Sequence, residues 1–162
     1  MGKGYMFECK KCKHQYGICP GIGFSYMSLC KKTLDKIAKG KYGKEFKAAY
    51  DNGGRYLSVN AQRILYMCDA CKTWDSAIDA TLYAPNNADA FGKMQYGIKT
   101  VEEWGEVPYF IEGGHFHVIK EYKHKCPKCK GIMRKANEEE YKRLACPKCG
   151  EINDMIDEIR WD

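Results

Sequence analysis

Apolar and polar side chains alternate at the start of the chain. Tyr5 and Phe7 lead into Cys9-Lys10-Lys11-Cys12, and Tyr16 and Ile18 lead out, so residues 5–18 are predicted to form a hairpin folded about a cysteine turn. Gly17, Pro20, Gly21 and Gly23 then mark a loop. From Ser28 the period changes. Leu29, Cys30, Thr33, Leu34, Ile37 and Ala38 share one half of a helical wheel, and Lys31, Lys32, Asp35, Lys36 and Lys39 fill the other. Ser28 can cap that helix and Gly40 can close it. A shorter helix is predicted over about 43–51, with Phe46, Ala49 and Tyr50 inward and Gly53-Gly54 as its stop.

Beyond it, Arg55 to Val59 and Arg63 to Met67 read as strands, the second running into Cys68-Asp69-Ala70-Cys71. A further strand is expected from Ala77 to Tyr83, ended by Pro85. Residues 85–96 read as loop. Val107 to Glu112 and His115 to Tyr122 flank Gly113-Gly114, a two-residue hairpin signal. Asn137 can cap a single helical turn through Arg143. At the end Ile152, Met155, Ile156 and Ile159 fall at helical spacing, although a metal ribbon often continues there as a strand.

Eight of the ten cysteines lie in four Cys-x-x-Cys pairs, Cys9/Cys12, Cys68/Cys71, Cys126/Cys129 and Cys146/Cys149. Two intervening residues let a tight turn aim both thiolates at one ion, and two such turns complete a tetrahedral zinc site. Sixteen residues separate Cys129 from Cys146. Both C-terminal pairs read Cys-Pro-Lys-Cys, and Gly150 after the last one tolerates positive φ. Spacing and turn chemistry therefore point to a site built from Cys126, Cys129, Cys146 and Cys149. The complement of Cys9/Cys12 is then Cys68/Cys71, fifty-five residues on, because the entropy of closing a loop grows only slowly with its length. Spacing alone leaves open a rival in which Cys68/Cys71 joins a C-terminal pair. A thioredoxin-like role needs one such pair at the start of a helix that follows a strand, which four ribbon-spaced pairs fit poorly. Cys19 and Cys30 are left over and read as small buried apolar residues; the sharper alternative makes Cys19 a substitute ligand or a reactive thiol.

The composition, 44% hydrophobic and 30% charged, is that of a folded soluble chain, and the cofactor expected is two zinc ions. The opening Met1-Gly2-Lys3-Gly4-Tyr5-Met6 has neither the apolar core of an export signal nor the Ser/Thr of a myristoylation site, which predicts a cytoplasmic location with no membrane partner. The net charge of +6 is uneven: about +8 over residues 1–50, −3 over 51–110 and +1 over the rest. The basic N-terminal half, with Lys31, Lys32, Lys36, Lys39 and Lys44, is a candidate nucleic-acid surface. Against that, a zinc held by four thiolates carries about −2, so two of them bring the total near +2. Lysines beside the turns offset that local charge, and those on the helix sit where any amphipathic helix exposes them.

His115 and His117 share one face of a predicted strand, with His124 further along. Three imidazoles can hold a catalytic zinc, with Glu112 or Glu121 as base, although His-x-His alone is a weak motif. Gly21-Ile22-Gly23-Phe24 lacks the third glycine of a dinucleotide loop. Gly43-Lys44-Glu45 departs from a phosphate loop at two positions.

The succession of Tyr5 to Cys12, Gly21-Ile22-Gly23-Phe24, a basic helical pair, Cys68/Cys71, Tyr83-Ala84-Pro85 and His124-Lys125-Cys126-Pro127-Lys128-Cys129 resembles a family of small bacterial (Firmicutes-type) double zinc-ribbon proteins. The resemblance implies a rubredoxin-like or zinc-ribbon fold with bound zinc, and implies no reaction. Together these observations predict a small α+β protein with short antiparallel strands and two four-cysteine zinc sites. Residues 1–84 would form an N-terminal ribbon with a helical insertion at about 28–51, residues 85–105 a linker, and residues 106–162 a hairpin and C-terminal ribbon. The function expected is a non-catalytic adaptor or regulatory module with another protein as partner. The alternatives are nucleic-acid binding and a metal-dependent hydrolase using His115 and His117.

Overall fold

The structure, a computed structural model, describes residues 2–23, 26–54, 57–87 and 116–161. The expected strand over 107–112, the Gly113-Gly114 turn, His115 and most of the 85–105 linker lie outside those residues. Among the described residues the fold is α+β, with small antiparallel sheets and two helices. In chain order the elements are β1 (Gly2–Glu8), β2 (Gln15–Ile18), α1 (Tyr26–Ala38), α2 (Lys44–Asn52), β3 (Ser58–Val59), β4 (Arg63–Cys68) and β5 (Thr73–Ile78). They continue with β6 (Leu82–Pro85), β7 (Phe116–Lys120), β8 (Arg134–Lys135), β9 (Arg143–Ala145), β10 (Ile152–Asp154) and β11 (Asp157–Trp161). The chain divides into two units that interleave along the sequence rather than following one another as 1–84 and 106–162. The first comprises Met1–Gly23, Gln62–Ile78 and Lys123–Asp162; the second comprises Phe24–Ala61 and Asp79–Tyr122.

In the first unit β1 and β2 form the expected hairpin, with Tyr5 opposite Ile18 and Phe7 opposite Tyr16. The Phe7 and Tyr16 rings stack at 5.0 Å between centroids. The alternation that predicts this hairpin puts Tyr5, Phe7, Tyr16 and Ile18 into one core with Cys9, Leu65, Leu144 and Cys146. The other edge of β1 carries β11, from Gly2 opposite Trp161 to Met6 opposite Asp157. The helical spacing of Ile152, Met155, Ile156 and Ile159 is thus misleading: the segment is two strands, β10 and β11, and Ile152 and Ile156 are exposed. A second sheet has the order β5-β4-β8, and a two-stranded sheet pairs β9 with β10. Asn137 caps the single 3-10 turn Glu140–Lys142 as predicted. Its Oδ1 accepts the Glu140 N–H at 3.0 Å, and the Glu140 carboxylate accepts the Asn137 N–H at 2.9 Å, a reciprocal capping box.

In the second unit α1 buries Cys30, Thr33, Leu34 and Ile37, and α2 buries Phe46, on the sides the periodicity assigns. Gly40, at φ 73°, ends α1 in a Schellman motif: its N–H reaches the Ile37 carbonyl and the Lys41 N–H reaches that of Lys36. The helices pack on a three-stranded sheet of order β3-β6-β7, around Ile37, Val59 and Leu82. The strand expected over 77–83 is in fact the end of β5 and the start of β6. The break falls at Asp79, fully buried, whose Oδ1 accepts both the Thr81 N–H and the Thr81 hydroxyl while Oδ2 accepts from Asn60. A carboxylate that gathers donors two residues ahead imposes a turn on a run that otherwise reads as strand.

Candidate metal centres

The four Cys-x-x-Cys segments adopt one turn. At Cys9, Cys126 and Cys146 the first cysteine donates its N–H to the carbonyl five residues on (His14, Gly131 and Glu151, at 2.7–2.9 Å). The N–H four residues on (Lys13, Lys130 and Gly150) returns to that cysteine's carbonyl at 2.9 Å. In the remaining turn Cys68 sits opposite Thr73, the same five-residue step, in the β4–β5 register. The residue four past the first cysteine is left-handed in every case: Lys13 at φ 59°, Lys72 at 51°, Lys130 at 63° and Gly150 at 78°. Only Gly150 advertises this in the sequence; the three lysines adopt a conformation that costs an L-residue about 1–2 kcal/mol.

These turns assemble into two groups, Cys9/Cys12 with Cys146/Cys149, and Cys68/Cys71 with Cys126/Cys129. In each group the four sulfurs lie within 4.8 Å of one another. All eight predicted ligands are therefore gathered, but in the rival pairing, with the second group nested inside the first. The partnership of Cys126/Cys129 with Cys146/Cys149, and of Cys9/Cys12 with Cys68/Cys71, is overturned. Strand pairing decides the matter: β11 lies along β1 and carries the last turn to the first, while β8 lies along β4 and carries the third turn to the second.

The donor sets fit a tetrahedral metal ion. The Cys9–Cys149, Cys12–Cys146 and Cys68–Cys129 sulfurs are 3.4, 3.7 and 3.6 Å apart. A tetrahedron with metal–sulfur bonds of about 2.3 Å has edges of about 3.8 Å, whereas a disulfide requires about 2.05 Å. All ten cysteines are free thiols. Burial is the same in both groups: the first cysteine of each turn is buried, Cys12 and Cys71 are half-buried, and Cys129 and Cys149 are exposed.

The thiols within each group are driven apart in acidity. Burial is the largest single influence on Cys9 and raises it, yet hydrogen bonds from the Cys12 N–H, Cys149 and the Lys11 N–H together pull it down to about 6. At Cys149 the Glu151 N–H pulls the thiol down, but the bond to Cys9, burial and the other sulfurs outweigh it and push it up to about 12. In the second group the Cys129 N–H leads in drawing Cys126 down to about 7 against burial. Hydrogen bonding with Cys129, then burial, pushes Cys71 up to about 12. Four negative sulfurs do not gather without a compensating cation, and a divalent ion supplies that compensation.

Several residues that hold the turns carry no sequence motif. Asn153, 1% exposed on β10, accepts the Lys10 N–H at 2.9 Å through Oδ1 and donates to the Glu151 carbonyl at 2.8 Å through Nδ2. It also donates to the Tyr16 hydroxyl at 3.4 Å, and that hydroxyl donates to the Leu144 carbonyl at 2.9 Å. One buried amide thus ties both turns of the first group together. Trp74 donates Nε1–H to the carbonyl of Ala145, next to Cys146, at 2.7 Å. Beside the second group Arg134 reaches Asp69, inside the Cys68 turn, and makes a two-pronged pair with Glu140 at 2.7 Å. That guanidinium, ahead of the opposing effect of burial, holds Glu140 down to about 2. The only sequence signal for any of these is the Asn137-x-x-Glu140 box.

Other candidate residues lie outside the groups. Cys30 is buried, as expected; Cys19 is half-buried and packs near Gly4. His117 is exposed and pairs with the Asn86 side chain at 3.0 Å, and His124 pairs with Asp75 at 2.8 Å under the Tyr66 ring. Among the described residues no third cluster of His, Cys, Asp or Glu side chains converges as these two do. Lys31, Lys32 and Lys36 are exposed on α1, Lys39 just past its end and Lys44 at the start of α2. No helix among the described residues is long and apolar enough to cross a membrane. Comparison with protein-family models, with curated proteins and with solved structures finds no match.

Proposed function

We propose that this protein is a non-catalytic binding module, an adaptor or regulator, in which each four-cysteine group holds a structural zinc ion. The observation that carries this is the closure of both donor sets. Four sulfurs already satisfy tetrahedral zinc, so no position is left for a substrate, as in sites that stabilise a fold. Cys9 and Cys146 belong to the core of the first unit, which makes metal binding and folding of that unit one event. The resemblance of the sequence to zinc-ribbon proteins supports the same reading. The exposed Ile132, Ile152 and Ile156 of the first unit favour a protein partner, because apolar anchors are what protein interfaces bury.

The test is native mass spectrometry of the full chain with and without a strong chelator, followed by circular dichroism. Two zinc ions per chain, and loss of structure when both are removed, are the expected results. One metal, iron in place of zinc, or an unchanged spectrum after complete chelation would overturn the proposal.

A further inference from the structure

We infer that the lysine face of α1, extended by the connection to α2, is a binding surface for the phosphate backbone of a nucleic acid. The inference adds, on the second unit, a second partner class to the protein partner of the module proposed above, and it does not depend on which metal the cysteines hold. Lys32, Lys36 and Lys39 stand at i, i+4 and i+7, a single stripe about 10 Å long opposite the face that buries Cys30, Leu34 and Ile37. Lys31 lies beside the stripe, and Lys41 and Lys44 follow it. All six are exposed. The second unit has two other described lysines, and both are paired, Lys47 with Asp51 and Lys120 with Glu45. Among the described residues none of the six has an ion-pair partner, and the one acidic residue of α1 is Asp35. Lys32 and Lys36, like charges one turn apart, repel each other until an anion is present.

The character of the face separates a nucleic acid from an acidic protein. The exposed large hydrophobic residues among those described are Val118, Ile132, Ile152 and Ile156, and none lies on α1 or α2. A protein interface needs an apolar or aromatic centre, whereas a phosphate backbone is held by unpaired cations alone. One strand presents a charge about every 3.4 Å along the axis, so the stripe spans about three phosphates.

The experiment measures fluorescence anisotropy of labelled 20-nucleotide single-stranded DNA, single-stranded RNA and duplex DNA with the zinc-loaded full chain, from 50 to 200 mM salt. Three or four phosphate contacts predict an affinity that falls about 20- to 150-fold over that range. The triple variant Lys32→Gln/Lys36→Gln/Lys39→Gln, which keeps helix propensity, should lower the slope of log affinity against log salt by about 2–3 and weaken binding at least tenfold at 100 mM. Lys47→Gln, which removes a lysine already paired with Asp51, should stay within twofold of the parent. Metal content and circular dichroism of the same samples separate failure of this surface from failure of the zinc sites. No binding at 50 mM salt would overturn the inference, as would a salt slope unchanged in the triple variant. Equal, triple-sensitive binding to a polyglutamate peptide or to anionic vesicles would also overturn it, in favour of an acidic protein or a membrane surface.

Discussion

Asn153 is the residue whose removal tests the first metal group most directly. Asn153→Ala deletes the two short hydrogen bonds that join the Cys9 turn to the Cys146 turn, to the Lys10 N–H at 2.9 Å and to the Glu151 carbonyl at 2.8 Å. The third, to Tyr16 at 3.4 Å, is long enough to count for little. Each short bond contributes about 1 kcal/mol net, and because Lys10 and Glu151 are exposed residues, water can solvate the groups left behind. The sum is about 2 kcal/mol, equivalent to about 30-fold in affinity, within the range for residues that orient metal ligands. The assay is competition of the zinc-loaded protein with a chromophoric chelator, resolved into two release steps. One step should shift about 30-fold toward lower chelator concentration while the other stays in place. If both steps shift equally, or neither moves by more than threefold, Asn153 does not act as the tie between those turns.

The nested pairing has its own test: Cys126→Ser/Cys146→Ser strikes both groups and should leave no tightly bound metal, whereas Cys9→Ser/Cys146→Ser strikes one and should leave a single ion, counted by native mass spectrometry; the sequential pairing requires the reverse. Lys72→Gly and Lys130→Gly, at left-handed positions, should be neutral or stabilise by up to about 1 kcal/mol in chemical denaturation, and Gly150→Ala should destabilise by about 1–2 kcal/mol; destabilisation by both lysine variants would contradict the conformations described. A double-mutant cycle on Arg134 and Glu140 should give a small favourable coupling, since the half-exposed Arg134 is screened by solvent. Because Glu140 is held at about 2 in the folded protein, below its ordinary value, that stability is present above the unfolded carboxylate's range and is lost only as pH falls toward 2. The coupling should therefore be flat from pH 8 to pH 6, and a fall within that window would refute the assignment.

The local elements were largely legible. The Tyr5/Phe7 and Tyr16/Ile18 alternation, the wheel of α1 and the Asn137 cap each depend on residues near one another in sequence, and each appears in the structure. The pairing of the turns was not. Four turns can pair in three ways, and loop-closure entropy separates them weakly. Joining Cys12 to Cys146 across 133 residues instead of to Cys68 across 55 costs only about 0.8 kcal/mol, and the corresponding change for the other group about 1 kcal/mol. The five-residue register between β1 and β11 easily outweighs that difference, and it was hidden because Ile152, Met155, Ile156 and Ile159 mimic a helix. Asn153 was missed for a related reason: a single buried amide has no period, and its partners are 137 to 143 residues away or backbone atoms.

Because one group lies inside the other, the order in which the chain is synthesised sets the order in which the groups can close. The inner set is complete once Cys129 has been made, twenty residues before Cys149 completes the outer one. At about 5–20 residues per second that is an interval of about 1–4 s, whereas Cys9 and Cys12 wait about 7–27 s for Cys146 to be made. Throughout that wait the leading turn holds two thiols with no partner turn, open to oxidation or to capture by a turn from another chain. A newborn chain is therefore most vulnerable at Cys9 and Cys12, and the synthesis of Cys146 and Cys149, followed by Asn153 and β11, ends the exposure.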